Sequence, residues 1–219
     1  MELELNWAWL RRNTDLILGL LGQHIVLAIV PVILALIVSI PLGFAVHRSG
    51  RVANLLLAIL GVIYSIPSLA MFVAVPVVLG TRILDPINVV VALAIYTVAL
   101  LVRSVVDGLR SVPSAVRQSA SAMGYGWLRR LVAVELPIAM PVIFAGLRVV
   151  TVSNIALVSV AAIVGSGALG QLFDRAFNSA FFTPLAVGLV LSVALALGAD
   201  ALILWLQRLS LPWARRQRA

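Results

Sequence analysis

Long apolar runs separated by short, arginine-bearing polar stretches set the pattern of this chain. Five runs, near residues 24–46, 53–79, 86–106, 138–164 and 184–207, are long enough as helices to cross about 30 Å of hydrocarbon at about 1.5 Å per residue. The fold class this predicts is an all-α integral membrane protein with about five transmembrane helices. Pro31 and Pro41 fall in the first run and Pro67 and Pro76 in the second. They predict kinks, tolerated where neighbouring helices or water satisfy the freed carbonyls. Ahead of the first run, residues 1–21 carry Trp7, Trp9, Arg11, Arg12 and Asp15 beside an apolar DLILGLLG segment, which predicts a helix lying in the membrane interface. That segment has neither a basic start nor a convincing cleavage site, so a removable signal peptide is not expected. The expected organisation is an interfacial segment over 1–21, a transmembrane domain over 22–208 and a basic tail over 209–219.

Composition supports the membrane class. Of 219 residues, 63% are hydrophobic and 11% charged, and the mean hydropathy is +1.14, far above that of a soluble domain of this size. Cysteine is absent, which excludes disulfides and thiolate metal sites. His24 and His47 lie near the ends of the first run with no carboxylate or second histidine beside them, so both are read as interfacial. No metal or cofactor is expected.

Charge gives the orientation, because the chain has no lysine and its arginines are unevenly placed. One set of loops holds Arg48, Arg51, Arg103, Arg110, Arg117, Arg129, Arg130, Arg208, Arg215, Arg216 and Arg218; the other holds Arg11, Arg12, Arg82 and Arg175. The richer set is assigned to the cytoplasm, which puts the N terminus outside and the C terminus inside. Although the net charge is +8, these arginines flank spans and form no single basic face. Anionic membrane lipid, not nucleic acid, is their expected neighbour.

One loop stands apart. Residues 103–141 form a polar, basic island, RSVVDGLRSVPSAVRQSASAMGYGWLRRLVAVELPIAMP. Pro113 suits the first turn of a short helix and Gly124 the position just past its end. The helix between them, about 10 residues long, is too short to be stable alone. It is rich in small side chains, Ala115, Ser119, Ala120, Ser121 and Ala122, and a partner surface could approach it closely.

The same residues carry a resemblance. Gln118-Ser119-Ala120, Gly124, Val134 and Leu136-Pro137 keep the spacing of the "EAA" loop of ABC importer permeases, with Gln, Ser and Val replacing the family's Glu, first Ala and Ile. Tyr64-Ser65-Ile66-Pro67-Ser68-Leu69-Ala70 and Ala161-Ala162-Ile163-Val164-Gly165-Ser166-Gly167-Ala168-Leu169-Gly170 are similar to stretches of the osmoprotectant branch. The resemblance covers roughly residues 25 to 205. It implies a type I importer permease fold in a bacterial or archaeal inner membrane, and a coupling loop over about 107–137 that docks onto cytoplasmic ATPase subunits. It also implies a second permease copy or paralogue and an extracytoplasmic solute-binding protein. The solute implied is a quaternary amine of the glycine betaine, carnitine or choline type, with methionine or another amino acid as the alternative. Gln118 departs from the family's Glu, so an ionic contact with the ATPase is not expected at that point; a hydrogen bond remains open to it.

Gly165, Gly167 and Gly170 also spell the dinucleotide fingerprint, but no strand precedes them and no acidic residue follows about 20 positions on. The order of spans puts them at the outer end of the fourth span, in a tight turn or re-entrant segment. No P-loop lysine exists, so ATP hydrolysis is expected from a partner chain.

Within the spans the pathway candidates are Arg148, Thr151, Asn154 and Ser159 in the fourth and Asp200 in the fifth. For Thr151, Asn154 and Ser159 the competing expectation is hydrogen bonding between helices. Arg148 and Asp200 sit about 15 Å and about 11 Å from the inner boundary by helical rise, deep enough to pair or to reach water separately. Tyr64, Phe72, Tyr96 and Phe144 are the rings that could meet a quaternary ammonium, with packing as the alternative. A membrane-embedded enzyme is disfavoured because no nucleophile, base and orienting group can be assembled. A passive channel is disfavoured because it has no use for a docking loop.

Overall fold

The computed structural model describes residues 5–165 and 167–215. Ser166 of the glycine stretch, Glu2 at the head of the interfacial segment, and Arg216 and Arg218 of the tail lie outside the described residues. Among the described residues the regular structure is helical throughout, as the apolar runs predict.

Helix α1, Trp7–Arg12, starts where the Asn6 side chain accepts the Trp9 amide at 2.9 Å. Asn13 ends it, donating from its side-chain amide to the Trp9 carbonyl at 2.8 Å. Helix α2, Thr14–Arg48, follows at once. Its 35 residues span about 52 Å, more than the hydrocarbon thickness, and Pro31 and Pro41 do not interrupt it. The DLILGLLG segment is therefore the first stretch of α2 and continuous with the first apolar run. The sequence reading had divided the two at residue 21.

The second apolar run differs from expectation more sharply. It forms two helices, α3 (Ala53–Ser65) and α4 (Ser68–Leu79), bent by 98° at Ile66–Pro67. Proline has no amide hydrogen to continue the ladder and pushes the residue before it out of helical geometry. The Ser65 hydroxyl takes up a carbonyl at the break, donating to Val62 at 2.7 Å. After α4 the chain turns through Gly80, at φ 67°. The turn is pinned by buried Asn88, whose amide donates to the Arg82 carbonyl at 2.7 Å and whose side-chain oxygen accepts from the Thr81 hydroxyl.

Helix α5 covers Pro86–Arg110, α6 Ser114–Ala122 and α7 Trp127–Arg130. A π turn, Leu131–Glu135, leads into α8, Leu136–Ala161. Helices α9 (Gly170–Ser179) and α10 (Phe182–Ser210) complete the series. Four stretches, Thr14–Arg48, Pro86–Arg110, Trp127–Val164 and Phe182–Ser210, are long and apolar enough to cross a membrane. The bent α3–α4 pair makes a fifth if it is counted as one span.

The chain packs as two compact units. One takes the chain through Leu34 with Ile66–Ile95 and Thr151–Asp200; the other takes Ala35–Ser65, Tyr96–Val150 and the chain from Ala201. In the first, Leu20, Leu169 and Leu172 are buried among Trp9, Leu16 and Val187. In the second, α5 supplies Val102, Val105, Val106 and Leu109 at the i, i+3, i+4, i+7 spacing of one helix face. Val102 and Val106 pack on Val46 and Ala53, and Val105 and Leu109 on Ala139 and Ile143. Gly108 makes the second contact close: a Cβ there would lie 3.0 Å from the Ala139 carbonyl oxygen. Leu189, Val190, Val193 and Leu197 on α10 are exposed, an apolar face suited to hydrocarbon or to another membrane helix.

Candidate functional site

The polar island folds as a short helix with two defined ends. Pro113 stands just before α6, at φ −59° and ψ 138°, one position earlier than expected, where its missing amide hydrogen is no loss. At the other end Gly124 takes φ 82°. Its amide donates to the Ser121 carbonyl at 3.0 Å and the Tyr125 amide to the Ala120 carbonyl at 3.1 Å. This is the two-bond stop that a left-handed glycine permits. Ala120 is buried and anchors α6, whereas Gln118, Ser119, Ser121 and Ala122 face outward.

Large apolar side chains follow directly and are also exposed: Met123 at 69%, Trp127 at 52% and Leu128 at 56%. A merely solvated loop has no reason to present them. Trp127 is held rigidly even so, stacked on Phe44 with centroids 5.8 Å apart and covered by the Arg48 guanidinium at 4.9 Å. Arg129 lies over the Tyr125 ring at 4.6 Å, and Arg110 donates to the Asn54 side-chain oxygen at 3.0 Å. Several of the island's arginines thus shape the loop itself.

The motif positions divide between two places. Gln118, Ser119 and Gly124 are exposed on and beside α6, while Val134, Leu136 and Pro137 are half-buried at the entry to α8, where Leu136 packs on the Val105–Leu109–Ala139–Ile143 cluster. Between the two lies an ion pair that the sequence reading missed. Arg130 Nε donates to Glu135 Oε1 at 2.7 Å, and Glu135 is buried. Five residues of separation is not a helical pairing distance, so spacing alone gives no signal of it.

The glycine triplet has a purely conformational and steric explanation. Gly165 and Gly167 take φ 80° and 77°. A Cβ on Gly167 would lie 2.7 Å from Gln23 Oε1, the oxygen that accepts the Ala168 amide at 3.0 Å. A Cβ on Gly170 would run into the Ser159 carbonyl oxygen. Each position therefore needs glycine for turn geometry or close approach.

Of the polar residues in the spans, Thr151 and Asn154 are buried and Arg148, Ser159 and Asp200 half-buried. Arg148, Thr151 and Asp200 each engage another group. Asn154 donates to the Ala28 carbonyl at 3.5 Å. Beside it the His24 Nε2–H donates to the Ile155 carbonyl at 3.0 Å. These two contacts cross between α2 and α8 in opposite directions, the helix-to-helix bonding that competed with a pathway role. His24 corrects the sequence reading: it is wholly buried, not interfacial, because α2 begins ten residues before it. His47 is half-buried in the last turn of α2. Among the aromatic candidates, Tyr64 and Tyr96 meet edge to face at 5.8 Å. Tyr96 and Phe72 are buried and Phe144 half-buried, so the open ring face is that of Tyr64.

A family model described as the binding-protein-dependent transport system inner membrane component matches residues 35–211, which include α6, its glycine stop and the glycine turn. The chain belongs to that family. It is a membrane permease subunit of a transport system rather than an enzyme. The choline transport system permease protein OpuBD of Bacillus subtilis is 30% identical over 94% of this chain and 90% of its own. The glycine betaine/carnitine/choline transport system permease protein OpuCD of the same organism is 31% identical over 94% and 89%. The inward-facing MetNI methionine ABC transporter aligns over 87% of this permease and 95% of its own chain, with a TM-score of 0.74 at 18% identity. That likeness establishes the ABC importer permease fold expected from the EAA-like spacing.

Proposed function

We propose that this permease carries a quaternary-amine osmoprotectant of the glycine betaine, carnitine or choline type, in an assembly with a second permease, cytoplasmic ATPases and an extracytoplasmic binding protein. The observation that carries the reading is α6. It is a nine-residue helix with an outward face of small polar side chains, closed by Gly124 and followed by exposed Met123, Trp127 and Leu128. An ATPase cleft accounts for both its small polar face and its apolar neighbours. The solute class rests on the names of relatives matched over nearly the whole chain. Methionine is the second reading, supported by fold alone.

In this scheme ATP binding draws the ATPases together, α6 moves with them, and the spans alternate between inward and outward openings. Arg148, Thr151, Ser159 and Asp200 are the candidate polar groups along that path, whereas Asn154 is engaged between α2 and α8. The apolar outer face of α10 suits lipid or the second permease.

Two tests follow. The ATPase should copurify with the detergent-solubilised permease, and its loss from the Gly124→Val variant alone would locate the contact. Orientation is tested in the naturally cysteine-free chain. A cysteine at Phe177, 80% exposed on α9, should react with an impermeant thiol reagent on intact cells. One at Met123 should react only after permeabilisation. The opposite pattern would reverse the assignment of sides.

A further inference from the structure

We infer that Arg130, Glu135 and Ser121 form a latch that ties α6 to the start of α8 and determines how fully movement of α6 reaches the membrane helices. The inference rests on the docking role proposed above and adds the positioning residues that would transmit it; none of the three touches the solute.

The latch is built around one guanidinium. Its Nε donates to Glu135 Oε1 at 2.7 Å and its Nη1 to Ser121 Oγ at 2.7 Å. The Ser121 hydroxyl in turn donates to the Arg117 carbonyl at 2.9 Å, one turn back along α6. Short charge-assisted bonds of this kind fix geometry as well as adding attraction. Glu135 is 4% exposed at the mouth of an apolar helix, where a carboxylate without a partner is strongly disfavoured. Ser121 is exposed and water could satisfy it. Its bond to Arg130 is therefore not forced by burial, and it adds a side-chain link between α6 and the ion pair at the start of α8.

The backbone between the ends is shaped to permit the pair. At about 100° per residue, positions 130 and 135 of an α-helix would lie about 140° apart and face different ways. Leu131–Glu135 is instead a π turn, whose i to i+5 closure brings residues five apart onto one face. Val134, Leu136 and Pro137 of the family spacing flank Glu135 in the chain. The π turn thus gives that spacing a mechanical use, placing a buried carboxylate under the arginine that holds α6.

The test compares the complete complex in proteoliposomes, wild type against variants, reading glycine betaine taken up per ATP hydrolysed. Glu135→Gln should lower that ratio about tenfold and Ser121→Ala about threefold, from the loss of a charge-assisted and an exposed hydrogen bond respectively. The Arg130→Ala/Glu135→Gln double variant should be no worse than the poorer single. Ser121 is exposed and its replacement leaves the ion pair whole, so this variant remains informative if Glu135→Gln assembles badly. A wild-type ratio in Ser121→Ala, or additive losses in the double variant, overturns the latch. A second reading needs neither ATPase nor solute. In the permease alone, amide hydrogen exchange over 114–122 should quicken about tenfold in Glu135→Gln, the same lost interaction read as local opening. Exchange over 142–150 should be unchanged. If exchange over 114–122 does not change, the latch fails even where uptake behaves as proposed. If exchange changes but no glycine betaine enters, the solute reading fails and the latch stands.

Discussion

Gly124→Val is expected to reduce ATP-driven uptake about tenfold while leaving the permease folded in the membrane. The backbone at Gly124 has φ 82°. A β-branched residue held there is strained by about 1–2 kcal/mol, and each 1.4 kcal/mol is about a factor of ten. A collision is not the cause, since nothing lies within 4 Å of where a Cβ would stand. The damage is confined to the helix stop. Valine forces the chain out of the left-handed region and gives up the bonds to the Ser121 and Ala120 carbonyls, so α6 frays where its partner should meet it. Gly124→Asn, which tolerates positive φ better, should fall between. Uptake and ATP hydrolysis measured together check this, and unaltered coupling at normal expression would remove α6 from the docking role.

Gly170→Val should have the larger effect on folding, with little or no permease recovered in the membrane. Here the obstacle is steric. The added Cβ meets the Ser159 carbonyl oxygen and the Ala162 side chain, and a backbone atom cannot swing aside as a side-chain tip can. Overpacking of this kind costs about 1–3 kcal/mol and occasionally more. Folded yield in detergent, read by size-exclusion profile, gives the result. Gly22→Val on α2, where no atom lies within 4 Å, is the matched control and should behave as wild type. Equal recovery of both variants would mean that the close contact between Gly170 and Ser159 does not hold.

How far the sequence could be read varies with how local the governing physics is. Both ends of α6 were legible because Pro113 and Gly124 act on their own backbone. The five apolar runs were legible for the same reason. The 98° break at Ile66–Pro67 was read as a kink because a proline shows where a helix is interrupted, not by how much; Pro31 and Pro41 leave α2 continuous. His24 was misplaced because its environment depends on where α2 begins and on α8 crossing at Ile155, both tertiary facts. Asn154 carried two readings from the start, and the geometry supplies a partner on α2. The Arg130–Glu135 pair was out of reach, since it depends on a π turn with no marker in composition or spacing. Gly165, Gly167 and Gly170 were rightly separated from the dinucleotide pattern, but the partners that require glycine, Gln23 and Ser159, appear only in three dimensions.

The central claim is that this permease admits a quaternary amine under the control of an ATPase docked at α6. Labelled glycine betaine uptake by proteoliposomes holding the permease with its ATPase and binding protein tests it most directly. Uptake should require ATP, the binding protein and an intact Gly124, and unlabelled choline or carnitine should compete where methionine does not. Accumulation without ATP, or a solute preference for methionine over every quaternary amine, would contradict it.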